Sequence, residues 1–127
     1  MTPKASIIIA DDEPMLIQLY HDAISSQGFE IAETFQNGRE LMEYLTRTNG
    51  RKVIILDHLM PLCDGISIVK KIKQNANAKD HYFILVTGDI TSIDDAHKAG
   101  ADEVLVKPFR MHVLTRAITQ GLALLSN

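Results

Sequence analysis

Cysteine is almost absent: Cys63 stands alone in a chain of 127 residues, which rules out an internal disulfide and suits a reducing cytoplasm. Long apolar runs are missing too. The longest, such as Ser6 to Ala10 and Val53 to Leu56, are far too short to span a bilayer, and Met1-Thr2-Pro3-Lys4 is not a signal peptide. The chain is therefore expected to be soluble, with no membrane role. It also lacks a strong charge of either sign. A net charge of −3, with acids and bases interspersed, leaves no electrostatic footprint for nucleic acid. There is no long low-complexity segment, no residue-level repeat and no room for a second folded unit. With 46% hydrophobic residues, positions 1–127 read as one compact domain able to bury its own core.

What is present is an alternation of apolar strands and amphipathic helices. Ser6-Ile7-Ile8-Ile9-Ala10 is a short strand, stopped by Asp11-Asp12-Glu13-Pro14, three acids and a proline placed to start a helix. Leu16, Leu19, Tyr20, Ala23 and Ile24 then recur at helical spacing up to Gly28. Phe29, Ile31 and Ala32 mark a second strand, which alternates more than the first and so belongs nearer a sheet edge. Asn37-Gly38 turns the chain into a helix with the stripe Leu41, Met42 and Leu45, ending around Asn49-Gly50.

The third strand, Val53-Ile54-Ile55-Leu56, is rich in β-branched residues, reads as buried on both faces and ends at Asp57. Pro61 and Asp64-Gly65 supply turn chemistry before a helix carrying Ile66, Ile68, Val69 and Ile72 inward and Lys70, Lys71 and Lys73 outward. A loop over residues 75–80 leads to the strand Tyr82 to Val86, which ends at Thr87-Gly88. Ser92 to Ala99 has room for a brief helix only. Glu103 to Val106 is a fifth strand, broken by Lys107-Pro108-Phe109, and Met111 to Leu125 a closing helix with the stripe Leu114, Ala117, Ile118, Leu122 and Leu125. Within that helix Gly121 is a weakness of roughly 1 kcal/mol against alanine.

Five strands alternating with five helices define an α/β fold, a doubly wound parallel sheet with helices on both faces. In such sheets ligands bind beyond the carboxyl ends of the strands, where strand order reverses. That rule gathers Asp11, Asp12, Asp57, Thr87 and Lys107 on one rim. Three carboxylates brought this close need a cation or protons, and a partial set of hard oxygen ligands suits Mg²⁺ with room left for water and a phosphate oxygen. One acid alone would be explained as a helix cap, but a pair on one strand end and a third on another would not. A hydroxyl at Thr87 and an ammonium at Lys107, each bland alone, complete a set suited to phosphoryl transfer onto a carboxylate nucleophile, with Gly88 leaving space for the group to enter.

These residues carry a resemblance. From about Ser6 to Leu125 the sequence resembles the receiver domain of two-component response regulators, the CheY-like superfamily. The marks occur in order: Ile-Ala-Asp11-Asp12-Glu13, Ile-Leu-Asp57 with Met60-Pro61 and Asp64-Gly65, Val-Thr87-Gly88, Gly100-Ala101-Asp102, and Lys107-Pro108-Phe109. The resemblance implies a flavodoxin-like (βα)5 fold with strand order 2-1-3-4-5. It implies that Asp57 accepts phosphate from a sensor histidine kinase or a histidine phosphotransfer protein. Asp12 and Asp57 would bind Mg²⁺ directly, Asp11 through water, and the backbone carbonyl of Leu59 would complete the protein ligands. Thr87 would bind the phosphoryl group and Lys107 pair with it. The output would be a changed interaction surface for a downstream effector, formed by the fourth helix, fifth strand and fifth helix. Such a chain is a cytoplasmic signalling module, with no enzymatic role beyond its own phosphorylation and dephosphorylation. A phosphorylation-dependent dimer is an option the resemblance leaves open.

Two departures from the family pattern fall on the signalling face. Val104 occupies the position, three before the lysine, where many members carry an aromatic whose rotation accompanies activation. The interval from Thr87 to Lys107 is also a couple of residues shorter than usual, a difference expected between Gly88 and Ala99. Leu59 and Asp89 are implied to flank the phosphoryl group and to tune the access of hydrolytic water. The five histidines lack paired metal-ligand spacing, and His58, next to Asp57, should point away from it if the strand persists that far. Val113 and Leu124 fall outside the stripe of the last helix.

Two other classes fit the sequence less well. An aspartyl-phosphate phosphohydrolase would place two aspartates one residue apart on the first strand, whereas Asp11 and Asp12 are adjacent and the nucleophile lies on the third. A flavodoxin-like cofactor binder would need hydroxyl- or glycine-rich phosphate loops, and the acidic loop after the first strand would repel a bound phosphate unless a cation intervened. The start at Met1 and the lack of a trailing linker favour a free-standing regulator over a receiver cut from a longer protein.

Overall fold

Alternation along each strand decides where the core sits. Ile7 and Ile9, Val53 and Ile55, and Tyr82, Ile84 and Val86 point to one face of the sheet, while Ile8 and Ala10, Ile54 and Leu56, and Phe83 and Leu85 point to the other. Both faces are apolar and both are covered. The computed structural model describes residues 5–75 and 80–126.

The elements follow in the order β1 (Ser6–Ala10), α1 (Pro14–Ser26), β2 (Ile31–Phe35), α2 (Gly38–Arg47), β3 (Lys52–Asp57), α3 (Gly65–Lys73), β4 (His81–Thr87), α4 (Ile93–Ala99), β5 (Glu103–Val106) and α5 (Met111–Leu125). A 3₁₀ turn, Ile90–Ser92, leads directly into α4. The strands form one parallel sheet in the order β2-β1-β3-β4-β5, so the order reverses between β1 and β3. Helices α1 and α5 cover the first face; α2, α3 and α4 cover the second. β3 and β4 are buried throughout, as their unbroken apolar runs demand, and β2 is the exposed edge its alternation suggested.

Local chemistry sets the helix starts. Pro14 opens α1; the Asn37 side chain accepts from the Glu40 N–H at 2.9 Å to cap α2; and Asp64 accepts from the Ser67 N–H at 2.8 Å to cap α3. Gly65 is required by close approach. A Cβ there would lie 2.8 Å from the Asp57 carbonyl oxygen and 2.7 Å from Leu85, so α3 can start directly beneath the end of β3 only with glycine.

Several details differ from the sequence reading. β2 begins at Ile31, with Phe29 packing onto the core ahead of it and Ala32 exposed. On α1, Leu19 is largely exposed and Ile17 packs inward in its place. On α5, Val113 joins the core while Leu124 faces solvent. Lys73 is not simply solvated: its Nζ donates to the His81 carbonyl at 3.4 Å and lies 3.5 Å from an Asp102 carboxylate oxygen. Gly121 is no mere weakness, because the Tyr82 ring occupies the space where its Cβ would be. The loop expected over 75–80 falls mostly outside the described residues, at 76–79. Among the described residues no helix is long and apolar enough to cross a membrane.

Candidate functional site

The carboxyl ends of β1, β3, β4 and β5 form a rim that holds every residue singled out for chemistry. Asp11 follows β1 directly, Asp57 is the last residue of β3, Thr87 the last of β4, and Lys107 follows β5. Register brings them together, with Ala10 opposite Leu56, Asp57 opposite Val86 and Thr87 opposite Val106.

One carboxylate oxygen from each of Asp11, Asp12 and Asp57 lies within 4.8 Å of the others. Asp11 and Asp57 are buried and Asp12 is exposed. The Lys107 Nζ sits 2.9 Å from Asp57 Oδ1 and 3.9 Å from Asp11 Oδ2, and so serves both buried acids. Its own position is fixed from the backbone, since the Lys107 N–H donates to the Thr87 carbonyl at 2.8 Å. Asp11 Oδ1 accepts from the Glu13 N–H at 2.9 Å, a bond that also shapes the turn into α1. Below the acids, Tyr20 of α1 stacks on Phe109, with ring centroids 6.2 Å apart.

Electrostatics at this rim are unfavourable as they stand. Burial pushes the Asp11 carboxyl up to about 6; the Glu13 N–H opposes that rise and the neighbouring Asp57 charge adds to it. Asp57 is raised as well, again by burial first, with the Lys107 hydrogen bond pulling the other way. Burial works against the charge of Lys107, but the Asp57 carboxylate outweighs it and holds the ammonium above its ordinary value. The Tyr20 phenol is pushed up by burial and by the charges of Asp11 and Asp57. One lysine does not balance three acids. Asp11 Oδ2 is moreover buried with no hydrogen-bond partner among the described residues, which is the condition a hard cation relieves. The donor set therefore fits a divalent ion such as Mg²⁺.

The other residues read from the sequence fall as follows. Thr87 is 2% exposed, and its Oγ1 accepts from the Asp89 N–H at 3.0 Å. Gly88 is exposed, and a Cβ there would meet nothing within 4 Å, so entry to the rim from that side is open. The Leu59 side chain is 71% exposed. Asp89 is also exposed, with its carboxylate held by the Thr91 N–H and hydroxyl, which lower its pKa. Val104 is half-buried against the second core face. β3 ends at Asp57, before His58, and the His58 ring is engaged elsewhere: its Nδ1 accepts from the Ile66 N–H at 3.3 Å and lies 3.7 Å from Asp64, a helix-capping role. Sequence reasoning missed Ser92, which is buried with its hydroxyl 3.0 Å from that of Thr87. A small hydroxyl residue five positions after a rim threonine, at the entry to a short helix, was the only signal.

Comparison with known proteins agrees with this geometry. Residues 7–119 match the response regulator receiver domain family. The chain is 32% identical over 117 residues to the probable chemotaxis protein CheY of Rhizobium etli, covering 91% of this chain and 90% of the relative. It is 34% identical over 105 residues to the transcriptional regulatory protein SrrA of Staphylococcus aureus, covering 81% of this chain and 42% of that longer one. Among solved structures, a LuxR-family DNA-binding response regulator from Staphylococcus aureus superposes with a TM-score of 0.81 at 28% identity, over 92% of this chain and 98% of the other. With the five-stranded order β2-β1-β3-β4-β5 and the acidic rim at its switch point, the chain belongs to the response regulator receiver domains, CheY-like modules of phosphorylation-dependent signalling.

Proposed function

We propose that Asp57 is the phosphoacceptor of this receiver, and that the rim is the whole of its chemistry. The observation that carries the proposal is the cluster of Asp11, Asp12 and Asp57 oxygens within 4.8 Å, with the Lys107 Nζ 2.9 Å from Asp57 Oδ1. A carboxylate oxygen of Asp57 attacks phosphorus, and the bond from phosphorus to the nitrogen of a donor phosphohistidine, protonated on its other ring nitrogen, breaks, leaving an acyl phosphate and a neutral imidazole that keeps that proton. The donor is a sensor histidine kinase or a histidine phosphotransfer protein. Lys107 shifts from the carboxylate to the incoming phosphoryl oxygens, and the Thr87 hydroxyl donates to one of them.

Asp11, Asp12, Asp57 and the backbone carbonyl of Leu59 would hold Mg²⁺. When bound, the ion neutralises the charge of the acids and of the transferring oxygens. Leu59 and Asp89 flank the entrance and set the lifetime of the phosphate by admitting or excluding water; an unchanged dephosphorylation rate after replacing both would remove that assignment. The module turns over no substrate beyond its own phosphorylation and dephosphorylation. It acts in the cytoplasm, and its phosphorylated form presents an altered face of α4, β5 and α5 to an effector or to a second copy. Val104 has no ring to rotate there, so the change is transmitted by the backbone of that face and by the segment after Thr87.

The test is incubation with acetyl phosphate and Mg²⁺ followed by intact-mass measurement. Wild type gains one phosphoryl group and Asp57→Asn gains none; no adduct on wild type, or the same adduct on the variant, overturns the proposal.

A further inference from the structure

Strand alternation sets Thr87 apart from the acid it serves. Asp57 lies opposite Val86, whose side chain packs on the α1/α5 face, whereas Thr87, one residue on, continues the Phe83 and Leu85 series on the face covered by α2, α3 and α4. Its hydroxyl meets Ser92, where the 3₁₀ turn passes into α4. Ser92 is 7% exposed and Thr87 2%, so water does not stand in for either partner.

The bonds around these two hydroxyls can be accounted for. Thr87 Oγ1 accepts from the Asp89 N–H at 3.0 Å. Ser92 Oγ stands 3.0 Å from Thr87 Oγ1 and 2.7 Å from the Asp89 carbonyl oxygen, which itself lies 3.5 Å from Thr87 Oγ1. Each hydroxyl has one proton to give. If Ser92 donates to the Asp89 carbonyl, the Thr87 proton goes to Ser92; if Ser92 donates to Thr87, the Thr87 proton is left with the longer contact to Asp89. In either order the Thr87 proton is held within this loop, with Ser92 as the side chain that completes the set.

We infer that Ser92 is a positioning residue that holds the Thr87 hydroxyl in its unphosphorylated place and ties its release to the start of α4. The inference rests on the reading of Thr87 as a donor to the phosphoryl group. When Thr87 turns to that group, its bond to Ser92 breaks, and the 3₁₀ turn and first turn of α4 lose the contact that docks them on β4. This gives a chain without an aromatic at Val104 a direct route from the rim to its signalling face. Loss of Ser92 therefore frees Thr87 and favours the activated arrangement, because the bond forfeited exists only in the resting one.

The experiment uses Ser92→Ala, with Ser92→Thr as the variant that keeps a hydroxyl. Two readouts are taken by NMR: the Thr87 χ1 rotamer from three-bond couplings in the unmodified protein without metal, and the beryllofluoride midpoint with Mg²⁺ present. Wild type and Ser92→Thr should show a single Thr87 rotamer. Ser92→Ala should show an averaged one and a midpoint about fivefold lower, the equivalent of about 1 kcal/mol for one neutral hydrogen bond. A folded Ser92→Ala protein with a single rotamer and the wild-type midpoint overturns the inference. If wild type itself binds no beryllofluoride, the reading of Asp57 fails, and the rotamer comparison still decides the role of Ser92. Should Ser92→Ala not fold, Ser92→Cys, which keeps the size but weakens the bond, is read by the same two measures.

Discussion

Replacing His81 should change how stability depends on pH, in a direction and by an amount the structure specifies. His81 opens β4, is 8% exposed, lies opposite Lys52 of β3 and sets its ring edge-on to Phe83. Burial lowers its pKa from 6.5 to about 4; the Lys52 and Lys73 charges add to this, and Asp80 opposes it. The unfolded chain therefore takes up a proton at His81 before the folded protein does, so the stability due to the neutral ring is complete above about pH 6.5 and is lost as pH falls toward 4. At about 1.4 kcal/mol per pH unit the loss is about 2 kcal/mol at pH 5 and about 3 kcal/mol at pH 4. Asp11 works the other way over much of the same window, because its raised carboxyl binds a proton first in the folded state. A wild-type curve alone would show the two partly cancelling. The comparison with His81→Phe removes Asp11 from the question, since both proteins contain it, and any constant packing change drops out of the pH dependence. Urea unfolding at about pH 7, 5 and 4 in Mg²⁺-free buffer should show the variant gaining on wild type by about 2 and then about 3 kcal/mol. A stability difference that does not change with pH would refute the reasoning.

Gly121→Ala should destabilise by about 1 kcal/mol in urea unfolding, although helix propensity alone favours alanine by a similar amount. The new Cβ would lie 2.5 Å from Tyr82 Cδ2 and displace a ring whose hydroxyl donates to Glu103 at 2.8 Å; in a Tyr82→Leu background the same change should be neutral or stabilising. Leu62, exposed and held at φ 75°, should yield to asparagine with a gain of about 1 kcal/mol, seen as a higher thermal midpoint, because asparagine adopts that backbone more readily. Mg²⁺ at about a hundredfold over its Kd should stabilise wild type by about 2.7 kcal/mol in thermal unfolding; Asp12→Ala, an exposed position, should leave the metal-free protein nearly unchanged and lose most of that gain.

What could be read before folding was whatever the chain states locally. The β-branched run Val53 to Leu56 can be satisfied only in a strand buried on both faces, and Asp57 at its end, Asp11-Asp12 after β1 and Lys107 after β5 then follow to one rim by topology alone. The edge position of β2 was visible in its weaker apolar run, and the folded strand exposes three consecutive residues, Ala32 to Thr34, as an edge allows. The receiver marks added the strand order and the roles proposed for these residues.

Whatever depends on a partner distant in sequence was decided only by tertiary structure. Nothing near Gly121 announces Tyr82, 39 positions away, so a position that reads as a helix defect is the seat of an aromatic ring. Lys73 looks like one of three solvated lysines until β4 and Asp102 are packed beside it. The Glu103 carboxylate gives no sign that it accepts from Tyr82. Ser92 carries no local pattern beyond its position, and its bond to Thr87 arises because the strand's alternation turns that threonine toward α4. The sequence by itself determined which residues are strand, helix and rim, because hydrophobic periodicity and strand-end chemistry are local. The tertiary structure alone decided which polar groups distant in sequence pair, because a hydrogen bond needs both partners within about 3 Å and only the folded sheet brings such groups together.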